Sequence, residues 1–293
     1  VGADGQRYRT HWENAYVSAG ELRPGDFLVA ATATPEFGSD VSPTRRVTVR
    51  FMELLGMLLG DGFWWRHAWS KKLGGFGISH AVDSGSIEYY ASIAEEEFAN
   101  VRMAVGEGAG RIGRRRATNG VTRVRRDANT TIFYSNLAAA ELDDLGIVGK
   151  ARTKRVPTWV FGLRRDLQLG LLRGYLDADG TVNDAGVVRL NSASRDLLAD
   201  MQQLCIACAI PVGSVYDARR PTRWGDGEYY GLCCGQAASN VALAPNDPAK
   251  RVRINAAAAS NLLASGRKRV TATVTFAIFG ALLAVIGQQF GKS

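Results

Sequence analysis

The spacing of apolar residues predicts the same order of elements twice along the chain. From about Arg50 an apolar run, Phe51 to Leu59, is long enough for a helix and ends at Gly60-Asp61-Gly62. The following stretch, Phe63 to Val82, alternates aromatic, glycine and basic residues as strands do. Ile87, Tyr90, Ile93, Phe98 and Val101 fall at mixed three- and four-residue steps and predict a helix from Ser86 to about Ala104. Strand-like spacing resumes from Arg111 to Tyr134, and Ser135 or Asn136 is placed to cap a helix reaching Leu145. The plan then starts again. An apolar helix from Asp166 to Leu176 ends in Asp177-Ala178-Asp179-Gly180, and a strand follows at Val187–Ser192. Ser194 can cap a helix from Arg195 to about Ala209, and strand-like segments run on to Cys234. Asp61 and Asp179 stand 118 residues apart, so the pattern reads as a tandem duplication carried by architecture rather than identity.

Composition changes this picture in two ways. With 293 residues, 46% hydrophobic and 22% charged, the chain has material for a folded core and roughly two domains. Its net charge of +8 comes from 29 Arg and only 7 Lys against 28 acidic residues. Guanidinium is the fork-shaped donor that suits phosphates and guanine edges, so the balance favours a polyanionic partner. Four cysteines are too few for a disulfide scaffold and point to a reducing, intracellular compartment, cytoplasmic or nucleoid-associated. The stretch Val270–Ile286 is apolar enough to raise a membrane anchor. Its length is marginal and three threonines weaken it, so a buried terminal element is the expectation. Residues 1–43 are expected to form a separate, mostly β segment, with a turn-rich stretch at Ala19–Asp26 and a short strand at Phe27–Ala30. The division expected is 1–43, a first half at 44–160, a second at 161–245, and a tail at 246–293 with no assigned role.

The two helix ends align residue by residue. Gly56 matches Gly174, Gly60 matches Ala178, and Asp61 matches Asp179. Small residues four apart give each helix one smooth face, and two such faces can pack with backbones almost touching. A glycine inside a helix costs roughly 0.5–1 kcal/mol against alanine, which calls for a packing reason. Taken singly, each Asp-Gly is an ordinary helix stop; recurrence with matched small residues argues for more. Parallel packing of the helices brings Asp61 and Asp179 together at two C-termini whose dipoles are already negative. A hard divalent cation, Mg²⁺ or Mn²⁺, resolves that repulsion and suits phosphoryl displacement, with the backbone at Gly60 and Ala178 as further candidate ligands.

Both stretches resemble the dodecapeptide repeats of LAGLIDADG homing endonucleases, and Leu172-Arg173-Gly174-Tyr175-Leu176-Asp177-Ala178-Asp179-Gly180 is a near-consensus copy. The surroundings resemble the intein-borne branch of that family. Lys154-Arg155-Val156-Pro157 looks like its lysine-containing block, Asn191–Leu204 like the block after the second repeat, and Trp12 with Ala19–Asp26 like a splicing-domain segment. The resemblance implies an α+β fold of two pseudo-symmetric αββαββα halves whose sheets form a saddle over double-stranded DNA. It implies a monomeric, metal-dependent endonuclease in which Asp61 and Asp179 each bind metal and Lys154 acts near the scissile phosphate. A plain surface lysine in a basic loop is the alternative for Lys154. The matching lysine of the second half is expected after the last strands, with Lys250 or Lys268 as candidates. Two other readings stay open: a DNA- or RNA-binding protein of the same fold that does not cleave, and a protein-splicing element. The chain shows neither a starting nucleophile at Val1 nor a His-Asn pair before Ser293, so self-splicing is not expected of it.

Arginine placement agrees with a DNA partner. Residues 111–126 hold Arg111, Arg114, Arg115, Arg116, Arg123, Arg125 and Arg126 and no acid, with Asn119-Gly120 as a hairpin signal between them. An arginine-rich ribbon fits a major groove. The second half offers Arg189, Asn191, Arg219, Arg220 and Arg223. Trp64, Trp65 and Trp69 are expected to pack the sheet against the helices. Cys205, Cys208, Cys233 and Cys234 read as buried small hydrophobes rather than a zinc site, since adjacent cysteines suit one ion poorly.

Overall fold

The computed structural model describes residues 38–67, 69–70, 72–80, 85–98, 102–106, 114–117, 120–123, 129–218, 229–235 and 240–264. Two long helices lie at the centre: α1 (Val49–Asp61) and α4 (Arg165–Asp179). Thr48 caps α1 by accepting from the Phe51 amide at 3.1 Å. Nine consecutive residues of α1, Phe51 to Leu59, are buried, Glu53 among them. A helix apolar nearly all round belongs inside a core, and α1 is packed on several sides.

Each central helix feeds a four-stranded antiparallel sheet. In the first half β1 (Gly62–Arg66), β2 (Leu73–His80), β6 (Asn129–Tyr134) and β3 (Arg102–Gly106) lie side by side in that order. In the second, β7 (Gly180–Val182), β8 (Val188–Ser192), β10 (Tyr230–Cys234) and β9 (Tyr216–Asp217) repeat the order. The additional β4 (Arg114–Ala117) and β5 (Gly120–Arg123) form a two-stranded ribbon inserted in the first half between β3 and β6. Helix α2 (Ile87–Glu97) and helix α5 (Arg195–Ala207) occupy equivalent places between the second and third strands of their halves. Helix α3 (Asn136–Asp144) follows β6, and α6 (Pro248–Ala264) follows β10 after a short 3₁₀ turn. The expected α+β architecture of two αββαββα halves is therefore observed. One continuous apolar core runs from Phe51, Phe76 and Phe133 in the first half to Leu190, Leu204 and Leu232 in the second.

Ser135 and Ser194 cap α3 and α5, each accepting a main-chain N–H at 3.1 Å. Three expectations are corrected. The predicted helix 86–104 stops at Glu97: Phe98 turns extended and inserts its ring between Phe51 and Phe76, and Arg102–Gly106 pairs with β6. The helical spacing gave way to strand pairing at Arg102–Gly106, which sequence periodicity does not see. Gly120 pairs with Ala117 and so belongs to a strand, not the turn. Trp69 does not pack between sheet and helices. It is 86% exposed, with its ring 5.9 Å from that of His67, while Trp64 packs on Phe76 as expected. The segments 1–37 and 265–293 lie outside the described residues, and with them the splicing-like block and the apolar stretch Val270–Ile286. No helix among the described residues is long and apolar enough to cross a membrane.

Candidate functional site

The site is built by glycine. A Cβ on Gly56 would lie 2.0 Å from the Leu171 carbonyl oxygen, and one on Gly174 would lie 1.8 Å from the Glu53 carbonyl oxygen. Leu171 and Glu53 are themselves 118 positions apart, as are the two glycines, so the contact obeys a two-fold relation. At the next turn a Cβ on Gly60 would stand 2.4 Å from that of Ala178. Real side chains never approach so closely, and only the missing methylenes let α1 and α4 meet backbone to backbone. Both helices end there, at Asp61 and Asp179, and both chains then turn directly into strands.

Packing at this end fixes the electrostatics. Burial, reinforced by the neighbouring Asp61 charge, pushes the Asp179 carboxyl up to about 7 against the opposing pull of Lys154 and Lys250. Burial also raises Asp61, again opposed by the two lysines. Lys154 is moved the other way, down to about 8, because burial outweighs the attraction of Asp179 and Asp61. Two acids and two lysines thus interact in one place. Lys154 is not the surface residue of the alternative reading; it is 6% exposed. Its ammonium donates to the carbonyl oxygens of Leu58, Gly60 and Gly62 at 3.1, 2.9 and 3.2 Å, capping the end of α1. A cation at a helix C-terminus complements the dipole.

The second half contains the matching group. Lys250, in the first turn of α6, donates to the carbonyl oxygens of Leu176 and Asp177 at 2.8 and 2.7 Å. Leu176 is the counterpart of Leu58. Lys268 lies outside the described residues. No lysine motif marks Lys250 in the sequence, yet Asp247-Pro248 ahead of it is a helix-start signature. Asp247 indeed accepts from the amides of Ala249 and Lys250 at 2.9 and 3.2 Å. Lys250 was one of the two candidates expected, whereas Tyr229 was not foreseen: its phenol is raised by burial and by the charges of Asp179 and Asp61.

Asn191 donates to the Asp179 carbonyl at 3.3 Å and its own carbonyl accepts from Tyr175 at 2.6 Å, so it braces the end of α4. Arg189 is exposed on β8 opposite Cys233. Arg114, Arg115, Arg116 and Arg123 belong to the β4–β5 ribbon, where Arg114 pairs with Arg123. Arg111, Arg125, Arg126, Arg219, Arg220 and Arg223 lie outside the described residues. Cys205, Cys208 and Cys234 are buried thiols, and burial raises Cys208 to about 12. Among the described residues no three His, Cys, Asp or Glu side chains gather as metal ligands. Two carboxylates with open coordination fit an ion that keeps waters and takes phosphate oxygens, as Mg²⁺ does, and do not fit a closed zinc site.

Fold and site together define a duplicated αββαββα protein with paired acids at the ends of its central helices. Residues 166–208 match the model of the LAGLIDADG-like domain family. The chain is 27% identical over 242 residues to the iron–sulfur cluster assembly SufBD family protein ML0593 of Mycobacterium leprae, a match covering 75% of this chain and 25% of that one. It is 39% identical over 67 residues to the DNA-directed RNA polymerase subunit Rpo1C of Methanocaldococcus jannaschii, covering 22% of this chain and 8% of that one. This chain spans a quarter or less of the length of the curated relatives it matches. Among solved structures, the homing endonuclease I-WcaI bound to its DNA recognition sequence superposes with a TM-score of 0.46 at 12% identity, over 70% of this chain and 85% of that one.

Proposed function

We propose that this protein is a site-specific homing endonuclease, monomeric and dependent on Mg²⁺ or Mn²⁺, that hydrolyses both strands of a long DNA target. The observation that carries the reading is the pairing of Asp61 and Asp179 at the ends of two helices in backbone contact, with Lys154 and Lys250 packed at the same ends. A divalent ion held by the carboxylates, with the backbone at Gly60 and Ala178 nearby, would supply an activated water and charge neutralisation at the phosphate. The protein's own groups do the rest. Asp61 and Asp179 would carry negative charge once an ion is bound, where the phosphodiesters of a bound duplex would be brought. Each lysine places an ammonium at one helix end, within electrostatic reach of both acids, suited to steadying charge as a phosphodiester opens.

The pattern of relatives supports the homing part. The segment shared with this chain is a quarter or less of two proteins whose names describe unrelated work, iron–sulfur assembly and RNA synthesis. A shared part of that kind fits an inserted, mobile element better than the activity in either name. Retention of both acids favours cleavage over binding alone. Incubating the protein and Mg²⁺ with a randomised duplex library tests the reading. One recurrent long cleavage site is expected; retained binding with no recurrent cut would make the protein a non-cleaving DNA-binding module.

A further inference from the structure

Asp177 has no acidic counterpart in the first half. Its counterpart there is Leu59, buried in the core, so packing of the helix pair does not require an acid at this position. Asp177 is nevertheless buried and fully engaged. One carboxylate oxygen accepts from the Tyr90 hydroxyl at 2.5 Å and the Asn246 amide at 2.9 Å; the other accepts from the Asp247 amide at 3.0 Å. The Asn246 side chain continues the network, donating to Glu53 and to the Tyr90 oxygen at 3.3 Å each. Glu53 in turn accepts from Tyr89 and, at 2.5 Å, from Arg173, whose Nε donates to the Leu243 carbonyl at 2.8 Å. This network reaches residues 243–247, the segment that leads into α6 and Lys250, through Asn246, Asp247 and the Leu243 carbonyl.

We infer that Asp177 is a positioning residue for Lys250: it ties down the backbone of Asn246 and Asp247 and so sets the first turn of α6 against the end of α4. Lys154 is held by other means. Its carbonyl accepts from Ser194 at 2.9 Å, and the adjoining Val156 amide and Arg155 guanidinium are bound by Asp200 of α5 at 3.0 and 2.6 Å. Loss of Asp177 therefore disturbs one lysine and spares the other. The inference deepens the nuclease reading and rests on it for its catalytic consequence.

The test uses Asp177→Asn, which keeps the volume and removes one acceptor, with Tyr90→Phe as a milder second variant. On supercoiled plasmid carrying the recovered target, Asp177→Asn should slow cleavage of one strand on the order of 100-fold, the cost of a misplaced group, with the other strand unchanged. Nicked circles then accumulate. Lys250→Met should give the same pattern, and the double variant should lose nothing further. Tyr90→Phe should slow the same strand by a few-fold. Equal slowing of both strands, no slowing, or additive losses would overturn the inference. A second readout needs no catalysis: pulse acylation of amines followed by mass spectrometry. Labelling of Lys250 should rise about tenfold in Asp177→Asn, as a locally loosened segment does, with Lys154 as the unchanged internal reference. Unaltered Lys250 labelling would refute the positioning role. Wild-type protein that cuts no DNA would instead remove the nuclease reading, leaving the labelling result to decide the inference alone.

Discussion

The ends of α1 and α4 carry the same groups, but their lysines reach them by different routes. Lys154 lies in the connection between the halves, 93 residues beyond Asp61, and is anchored by the second half through Ser194 and Asp200. Lys250 lies 71 residues beyond Asp179, on a helix start anchored through Asp177, Tyr90 and Glu53. What the helix pair fixes by symmetry is the placement of two acids and of the carbonyl-bearing helix ends, with Leu58 and Leu176 as equivalent acceptors. What it leaves free is how a cation is brought to each end. Duplicated chemistry thus survives divergence of the loops because its geometry is set in the core.

The largest effects should come from the contact that creates the symmetry. Gly56→Ala and Gly174→Ala each drive a methyl into a backbone carbonyl, and each should destabilise by at least about 2 kcal/mol in urea denaturation. Gly170→Ala is the control: its Cβ would meet the Val49 oxygen at 2.9 Å, a milder clash, and should be tolerated better. A large difference between Gly56→Ala and Gly174→Ala would break the two-fold relation.

Next come the lysines. Lys154→Met and Lys250→Met should each reduce cleavage of a different strand by about 10²–10⁴-fold, the range for a positioned catalytic group. Loss of the same strand in both variants would mean that the two lysines do not serve separate sites.

A smaller effect concerns pH. Asp179 is raised above its ordinary value to about 7, so without metal the folded state favours its protonated form. The sign follows: this group's contribution to stability declines as pH rises from about 4, the ordinary carboxylate value, through 7. Protons and a divalent ion compete for the same carboxylate. The rise in melting temperature on adding Mg²⁺ should therefore be larger at pH 8 than at pH 5.5, and equal shifts at both would separate the metal from Asp179.

Much of this was legible in the sequence, and the parts that were not share a cause. The small residues at 56, 60, 174 and 178 recur at one spacing because backbone contact tolerates nothing larger, so the helix pair and its acids could be read directly. Ser135 and Ser194 were legible for a similar local reason, since a cap acts within three residues. Lys154 was marked by its surrounding block. Lys250 could be named only as one of two candidates without a motif, and the roles of Asp177 and Tyr229 were not foreseen, because all three depend on contacts between elements that nothing local in the sequence specifies. The end of α2 was misplaced on the same ground: Phe98 obeys the aromatic core between Phe51 and Phe76, not the helical period that precedes it.

The most direct measurement is cleavage of the recovered target by Asp61→Asn and Asp179→Asn beside the wild type, with binding followed in parallel. Both variants should bind the duplex as the parent does and make no double-strand break in Mg²⁺ or Mn²⁺. Undiminished double-strand cutting by either variant would take that aspartate out of the active site, and with it the shared-acid centre at the ends of α1 and α4.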